Sequence, residues 1–436
     1  MQAVIMAGGK GTRISSVNNT VPKPMIQLFG KPILEMEIEN IKKYGITDIV
    51  LTIGYKGNVI KEYFGDGSGI SPVTKKPFGV NIKYYEEKEP LGSAGALYQM
   101  MDMLEDTFLL INGDIVFNFD FNTFINFHSS KNVIASIVAH PNDHPYDSGN
   151  IGCENGIVTS WLTPNDKKPV YYKNLSNAGI HIMTKEALIL AEEMDMIRNK
   201  KESGIIAFNL DKDILIPLSK YGKVGCYITS EYIKDMGTPE RLEEVSSDYE
   251  HGYISVPFGK RKAVFIDRDG TINKHIGFLK SAEEFELLTD ASDAIRNFNK
   301  NGWLSIVVTN QPVIARGEAT WNDLKEIHMK METELGKSGA YLNDIFVCPH
   351  HPDKGFAGEI QELKYKCNCR KPSPGLIFKA AEQYGILLSE SWTIGDSESD
   401  ILAGKRAGTK TALIGTEDYG QDMTVSSLFE FSLKII

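Results

Sequence analysis

Three groups of residues in this 436-residue chain have types and spacings suited to phosphate and metal chemistry. Phe265-Ile266-Asp267-Arg268-Asp269-Gly270-Thr271 closes an apolar run with two carboxylates two positions apart. On an extended backbone residues i and i+2 share a face, so one carboxylate can attack phosphorus while the other protonates the leaving oxygen. A lone DxD pair arises easily by chance, but this one is followed by an ordered set. Val307-Val308-Thr309-Asn310-Gln311 ends a second apolar run in a hydroxyl, Arg370-Lys371-Pro372 offers cations, and Gly395-Asp396-Ser397-Glu398-Ser399-Asp400 ends another run in acids.

The second group lies near the N-terminus. Met6-Ala7-Gly8-Gly9-Lys10-Gly11-Thr12-Arg13 directly follows an apolar run. Glycines let backbone N–H groups approach phosphate oxygens, and Lys10 and Arg13 add charge. The spacing fits neither the P-loop nor the dinucleotide fingerprint, and an ordinary strand–helix turn uses the same glycines. Pro22-Lys23-Pro24 holds a lysine between two residues that restrict the backbone, which suits a point charge on a transferring phosphate. Asn112-Gly113-Asp114 puts a carboxylate where a strand ends, a position from which it can hold Mg²⁺ against a triphosphate.

The third group is Cys348-Pro349-His350-His351-Pro352 with Cys367-Asn368-Cys369. Two C-x-[HC] pairs make a four-ligand zinc set, and extended geometry selects His350 over His351 as the partner of Cys348. With four protein ligands the set is closed, so the Zn²⁺ is expected to be structural.

The elements that must carry these groups alternate between short apolar runs and helical patterns, the signature of α/β units with mostly parallel sheets. Strands are expected at Ala3–Ala7, Ile49–Gly54, Phe108–Asn112, Ile134–Ala139 and Gly179–Met183, with a helix over Pro32–Tyr44. A later helix takes Thr238 as N-cap, Pro239 in its first turn and Gly252 past its end. Strands recur at Ala263–Ile266, Leu304–Val308, Trp392–Ile394 and Thr411–Ile414. The boundaries expected are a first domain over 1–255, a linker over 256–262 and a second domain over 263–436. The tail beyond about Thr416 carries no readable motif.

The bulk properties limit the partners. A formal net charge of −10 argues against a nucleic-acid or anionic-membrane surface, so anionic substrates must be held by local cations, helix ends or a metal. No apolar run approaches the length of a membrane span, and no signal peptide is visible. Three of five cysteines cluster near the histidine pair, which favours metal binding in a reducing cytoplasm over a disulfide framework. A homo-oligomer is left open.

Over nearly all of residues 1–245 the chain resembles the sugar nucleotidyltransferases, through AGGKGTR, PKP, GKPILE, PLGSAGAL, NGD, NAG at 177–179 and DMGTPE. YFGDGS, GVNIKY and PLGSAGAL look closest to the mannose-1-phosphate guanylyltransferases. The resemblance implies attack of a sugar 1-phosphate on the nucleotide α-phosphorus with loss of pyrophosphate. By position, Gly8, Gly9, Gly11, Arg13 and Lys23 would grip phosphates, and Asp114 and Asp235 would hold Mg²⁺. Gly92 and Ala94 would approach the nucleoside, Lys168 the sugar phosphate, and Asn177 would bind substrate. Glu87 could accept the two adjacent donors of guanine, making GTP the donor nucleotide. Lys167-Lys168-Pro169 departs from the family's usual Glu-Lys-Pro, so a sugar other than an ordinary hexose is expected.

Residues 262–415 resemble the haloacid-dehalogenase-like phosphatases, and CPHHP, DRDGTIN, VVTNQ and IARG look like the D-glycero-D-manno-heptose-1,7-bisphosphate type. The resemblance implies Asp267 as nucleophile, Asp269 as general acid and base, and Thr309, Asn310, Arg370 and Lys371 on the phosphorylated substrate. Asp267, Asp269 and Asp396 make up the Mg²⁺ group, and Asp400 supports Lys371 or the metal waters. Pro312-Val313 departs from the usual Ser-Gly after TNQ. The two resemblances imply two Rossmann-like α/β domains, the first on a mixed sheet and the second on a parallel sheet with a zinc loop. Joined, the halves would remove the 7-phosphate of a heptose bisphosphate and transfer GMP to the remaining 1-phosphate. Two other readings stand beside this one: a mannose-1-phosphate guanylyltransferase fused to a histidinol-phosphate-type phosphatase, and a nucleotidyltransferase fold kept as a binding module.

Overall fold

Val4 has no exposed surface, and its neighbours in the sheet, Val50 on one side and Leu110 on the other, have none either. Strands buried on both faces are written as continuous apolar runs, which is why these segments were legible without alternation. The computed structural model describes residues 1–9, 20–146 and 148–436, arranged in two units. Unit 1 comprises Met1–Ala139, Ile151–Thr163 and Asn177–Ser255; unit 2 comprises His140–Asn150, Pro164–Ser176 and Val256–Ile436.

Unit 1 is built on a nine-stranded mixed sheet. Asn81–Glu86, Asp48–Ile53, Gln2–Met6 and Thr107–Asn112 lie side by side in parallel, and Ser176–Thr184 then runs antiparallel to Thr107–Asn112. A separate two-stranded sheet pairs Ile115–Asn118 with Tyr232–Asp235, with Asp235 opposite Ile115. That register brings the DMGTPE segment beside the NGD turn. The helix Ile33–Lys42 buries Leu34, Ile38 and Ile41 at helical spacing, and with them Glu35 and Glu37. The helix Pro239–Glu250 starts as its sequence foretold: Thr238 caps it, and Pro239 opens the first turn.

Unit 2 holds a six-stranded, fully parallel sheet in the order Asp344–Cys348, Leu304–Asn310, Ala263–Ile266, Trp392–Gly395, Lys410–Ile414 and Met423–Val425. Alternate residues feed opposite cores: Val264, Ile266 and Val307 on one face, Ala263, Phe265, Ile306 and Val308 on the other. The helix Trp321–Lys337 is started by a capping box between Thr320 and Asp323. The tail, unreadable as motif, supplies the edge strand and a helix, Leu428–Ile435. Phe431 on that helix is fully buried and lies 5.4 Å from the Trp392 ring. In the stretch expected as linker, Gly259 N–H donates to Gly385 O and Leu387 N–H to Arg261 O, both at 2.8 Å. Two α/β units, one mixed and one parallel, are the fold class expected. Among the described residues no helix is long and apolar enough to cross a membrane.

Candidate active sites

In unit 2 the motif residues gather at one edge because parallel strands all present their C-terminal ends there. Ala263–Ile266 leads into Asp267, Leu304–Asn310 carries Thr309, and Trp392–Gly395 leads into Asp396. Lys371 Nζ stands 2.6 Å from Asp267 Oδ1 and 2.6 Å from Asp400 Oδ1, and donates to Val308 O at 2.8 Å. Those three acceptors use the full donor capacity of an ammonium. Burial alone would lower the lysine's pKa, but the two carboxylates outweigh it and keep it charged. Burial raises the Asp267 carboxyl against the pull of Lys371, and Asp400 adds to the rise.

Carboxylate oxygens of Asp267, Asp396 and Asp400 lie within 4.8 Å of one another. A cluster of hard oxygen donors fits Mg²⁺. Gly270, at φ +85°, leaves room for it, since a Cβ there would stand 1.9 Å from Asp396 Oδ2. Asp269 is not in this group, contrary to its expected place among the metal residues. The strand ends at Ile266, so the i, i+2 rule no longer governs residue 269, and its carboxylate turns to other partners. Arg268 Nη2 donates to both of its oxygens at 2.9 and 2.8 Å, Asn273 Nδ2 donates at 3.0 Å and Gln311 Nε2 at 2.8 Å. Burial pushes this carboxyl up, but Arg268 and the other donors prevail and hold it below the usual range.

Asn310 also differs from its expected role on the substrate. Its Nδ2 donates to Lys371 O at 3.1 Å, and its Oδ1 accepts from Lys371 N at 3.0 Å. The side chain is therefore spent on the backbone of Lys371.

In unit 1 Lys23 forms an ion pair with Asp114. Asp114 sits in the turn between Thr107–Asn112 and Ile115–Asn118, and its carbonyl accepts from Met236 N at 3.0 Å, which places Asp235 alongside. Arg241 Nη1 reaches both Asp235 oxygens at 2.8 Å, and Gly237 N–H donates to one at 2.8 Å. Burial raises the Asp235 carboxyl; Arg241, Gly237 and the charge of Lys23 bring it below the usual range. Asp114 and Asp235 lie on neighbouring backbone segments near Lys23 and offer hard oxygen donors of the kind Mg²⁺ takes. Gly11 and Arg13 lie outside the described residues. A Cβ on Gly8 would come 2.9 Å from Glu87 Oε1, so Glu87 faces the backbone of Gly8, and burial raises its carboxyl. Gly9 has open space around it.

A model of the nucleotidyl transferase family matches residues 2–252, and an HAD-hydrolase-like model matches residues 368–429. The chain is 32% identical over 255 residues to the D-glycero-alpha-D-manno-heptose 1-phosphate guanylyltransferase of Campylobacter jejuni, covering 58% of this chain and 100% of that one. It is 40% identical over 149 residues to the D-glycero-alpha-D-manno-heptose-1,7-bisphosphate 7-phosphatase of Photorhabdus laumondii, covering 34% of this chain and 79% of that one. The chain belongs to both families. Among solved structures, HddC from Yersinia pseudotuberculosis is similar at 26% identity and a TM-score of 0.45, covering 57% of this chain and 99% of that one.

In the phosphatase part, the structure brings together the four expected zinc ligands. Cys348 Sγ lies 3.6 Å from Cys367 Sγ, 3.3 Å from Cys369 Sγ and 3.6 Å from His350 Nδ1; Cys369 Sγ is 3.2 Å from both Cys367 Sγ and His350 Nδ1. Ligand atoms on a tetrahedral zinc stand roughly 3.5–3.8 Å apart, so the set fits that ion with slight opening. With Nδ1 turned to the thiolates, His350 Nε2–H donates to Tyr365 Oη at 2.8 Å, as the second ring N–H of metal-binding imidazoles is commonly anchored. His351 points elsewhere, 3.5 Å from Arg316 Nη2. Arg370 Nη1 donates to His350 O at 3.3 Å, tying the cluster to the residue before Lys371. Thr309 Oγ1 accepts from Gln311 Nε2 at 2.8 Å.

In the transferase part, a Cβ on Gly92 would stand 2.4 Å from Phe208 O, and Ala94 N–H donates to that same oxygen at 2.9 Å. The chain's own backbone thus demands these small residues, whatever nucleoside approaches them. Asn177 Nδ2 donates to Asp211 Oδ1 at 3.2 Å, while its Oδ1 accepts from Gly179 N. Lys168 Nζ is bound by main-chain oxygens, those of Pro145 and, at 2.9 Å, Ser148. It belongs to the Pro164–Ser176 segment of unit 2.

Several partners escaped the sequence reading. Arg241, Asp211 and Glu37 look like ordinary helix residues, and nothing local marks them. Glu37, buried, accepts from Ile115 N at 3.1 Å, and burial followed by the Asp114 charge raises its carboxyl well above the usual range. Asn273 and Gln311 could have been found, since both lie inside motifs already singled out.

Proposed function

We propose that this chain is a bifunctional enzyme of GDP-heptose synthesis. It removes the 7-phosphate of D-glycero-D-manno-heptose 1,7-bisphosphate and transfers GMP from GTP to the resulting 1-phosphate. The products are GDP-D-glycero-α-D-manno-heptose, inorganic phosphate and pyrophosphate. The observation that carries this reading is the arrangement of Asp267, Lys371 and Asp400, with Asp396, at one sheet edge of a chain that also holds the Lys23–Asp114 pair. The first activity makes the substrate of the second, which gives the fusion a chemical sense.

In the phosphatase half, Asp267 Oδ attacks phosphorus and the bond to the heptose O7 breaks. Asp269, which takes up a proton as the anionic phosphate binds beside it and offsets the hold of Arg268, gives that proton to the leaving oxygen, then takes one from the water that releases phosphate from Asp267. Lys371 balances charge at the nucleophile, and Asp400 keeps that lysine charged and aimed. Asp267 and Asp396 would hold Mg²⁺, which would supply further charge neutralisation. The Cys348, His350, Cys367 and Cys369 set holds Zn²⁺ as a clip on the loop that ends at Arg370-Lys371.

In the transferase half, an oxygen of the sugar 1-phosphate attacks the α-phosphorus of GTP and pyrophosphate leaves in line. No covalent intermediate is needed, so catalysis is positioning and charge neutralisation. Lys23 meets the phosphates, Asp114 and Asp235 would hold a Mg²⁺ that would offset their charge, and Glu87 accepts the guanine donors.

The test follows phosphate released from the bisphosphate with Mg²⁺ present, then pyrophosphate in the same tube after GTP is added. Phosphate first and GTP-dependent pyrophosphate second is the expected result. No phosphate from the bisphosphate removes the heptose assignment, and histidinol phosphate and mannose 1-phosphate then become the substrates to try.

A further inference from the structure

Among the described residues Arg268 is the largest side chain with essentially no exposed surface. It stands between the two carboxylates of the DRD motif and turns its guanidinium onto Asp269, through Nε at 3.2 Å and Nη2 at 2.9 and 2.8 Å. Its remaining terminal nitrogen, Nη1, lies 3.3 Å from His328 Nε2 on the helix Trp321–Lys337. A guanidinium has donors and no acceptor, so Nε2 must offer a lone pair: His328 is neutral, with its proton on Nδ1. Loss of water contact, together with the charges of Arg268 and Lys173, agrees with that state by holding the imidazole down at about 3.

Asp269 needs such a hold. It lies beyond the end of its strand, where the chain turns at Gly270 with φ +85°, so no sheet ladder orients its carboxyl. Arg268 orients it together with Asn273 and Gln311, and among the described residues the Nη1 end of Arg268 finds its acceptor in His328. Removing that acceptor leaves a buried donor unpaired, and a guanidinium in that condition reorients to recover a partner.

We propose that His328 is a positioning residue of the phosphatase reaction, acting through Arg268 to fix the carboxyl of Asp269. The inference deepens the proposed function and rests on Asp269 as acid and base. As the P–O7 bond breaks and Asp267 takes the phosphoryl group, the Asp269 proton passes to O7. As water attacks and the P–O bond to Asp267 breaks, a water proton returns to Asp269 and phosphate leaves. Both transfers need the same carboxyl in the same place.

The experiment measures kcat and KM for phosphate release from the heptose bisphosphate with the full chain and saturating Mg²⁺. Asp269→Asn is expected to lower kcat by about 10²–10⁴. His328→Leu is expected to lower kcat about tenfold at unchanged KM, the mark of a group lost from the transition state rather than from binding. His328→Gln, whose Oε1 can replace Nε2 as acceptor, should recover to within about threefold of the parent. If thermal unfolding shows His328→Leu to be unfolded, Arg268→Lys replaces it, since one ammonium cannot span Asp269 and His328, and the same loss is expected. Parent-like kcat in His328→Leu or Arg268→Lys overturns the inference while a dead Asp269→Asn leaves the acid–base reading standing. Equal loss in the Leu and Gln variants overturns it too. A parent-like Asp269→Asn overturns the acid–base reading and the inference together.

Discussion

Asn310 clasps the main chain of Lys371 from both sides, its Nδ2 donating to the lysine carbonyl at 3.1 Å and its Oδ1 accepting from the lysine N–H at 3.0 Å. The lysine's ammonium can then meet Asp267 and Asp400 without paying the entropy of a loose backbone. Asn310→Ala is expected to lower kcat for phosphate release about tenfold, as displaced catalytic groups do. GTP-dependent pyrophosphate release from heptose 1-phosphate should stay at the parent rate. Parallel assays of the two activities check this, and an unchanged phosphatase rate would discard the positioning role.

The Cys348, His350, Cys367 and Cys369 group carries a prediction about metal content. Elemental analysis should find one zinc per chain in the parent and none in Cys369→Ser. Structural zinc contributes about 10–16 kcal/mol of apparent binding free energy in small sites, so the loop before Arg370-Lys371 should lose its order with the metal. Protease cleavage between residues 350 and 367 in the variant, absent in the parent, would report that. A variant that keeps zinc disproves the ligand assignment.

Gly270 tests the crowding around Asp396. Gly270→Ala adds a Cβ where 1.9 Å separates that position from Asp396 Oδ2, at a φ of +85° that L residues seldom adopt. Strain of this kind costs about 1–3 kcal/mol. The phosphatase rate should collapse, with weakened Mg²⁺ dependence read from a metal titration of the residual activity. Retained rate and metal affinity would show that Asp396 does not need the space.

Glu87 bears on the nucleotide. Glu87→Gln replaces a double acceptor by a group offering one oxygen and one donor, so the preference for GTP over ATP should narrow by roughly one to two powers of ten. Competition between the two nucleotides in the pyrophosphate assay measures it. An unaltered preference removes Glu87 from base recognition.

Glu332, on the helix Trp321–Lys337, gives a pH prediction. Burial, aided by Asp344 and opposed by Lys173 and the Asn174 N–H, pushes its carboxyl up to about 7. An unfolded glutamate titrates near ~4.3, so the folded chain binds this proton more tightly. The stability it adds is complete below the unfolded value and is lost as pH rises through the folded one. Glu332→Gln should therefore gain on the parent in unfolding temperature between about pH 4.5 and 7, at ~2–4 °C per kcal/mol. A difference that stays flat with pH would reject the raised carboxyl.

Both enzyme classes, and the segments on which the proposed chemistry rests, were readable in the order of the residues alone. Motifs at the ends of apolar runs mark the C-terminal edge of a parallel sheet, and the strand period is short enough that Asp267, Thr309 and Asp396 could be placed there from local pattern. The ladder Val4 with Val50 and Leu110, the cap at Thr238 and the paired Cys and His spacing are likewise local facts. What tertiary structure alone decided is how each charged group spends its hydrogen bonds. Asn310 turns to the main chain of Lys371, Asp269 to Arg268, and Lys168 to the carbonyls of Pro145 and Ser148. His328, sixty residues from Arg268, carries no mark of its partnership in its own neighbourhood. The reason is physical: a side chain's role depends on which donors and acceptors burial leaves within about 3 Å, and that set is assembled from segments far apart in the chain.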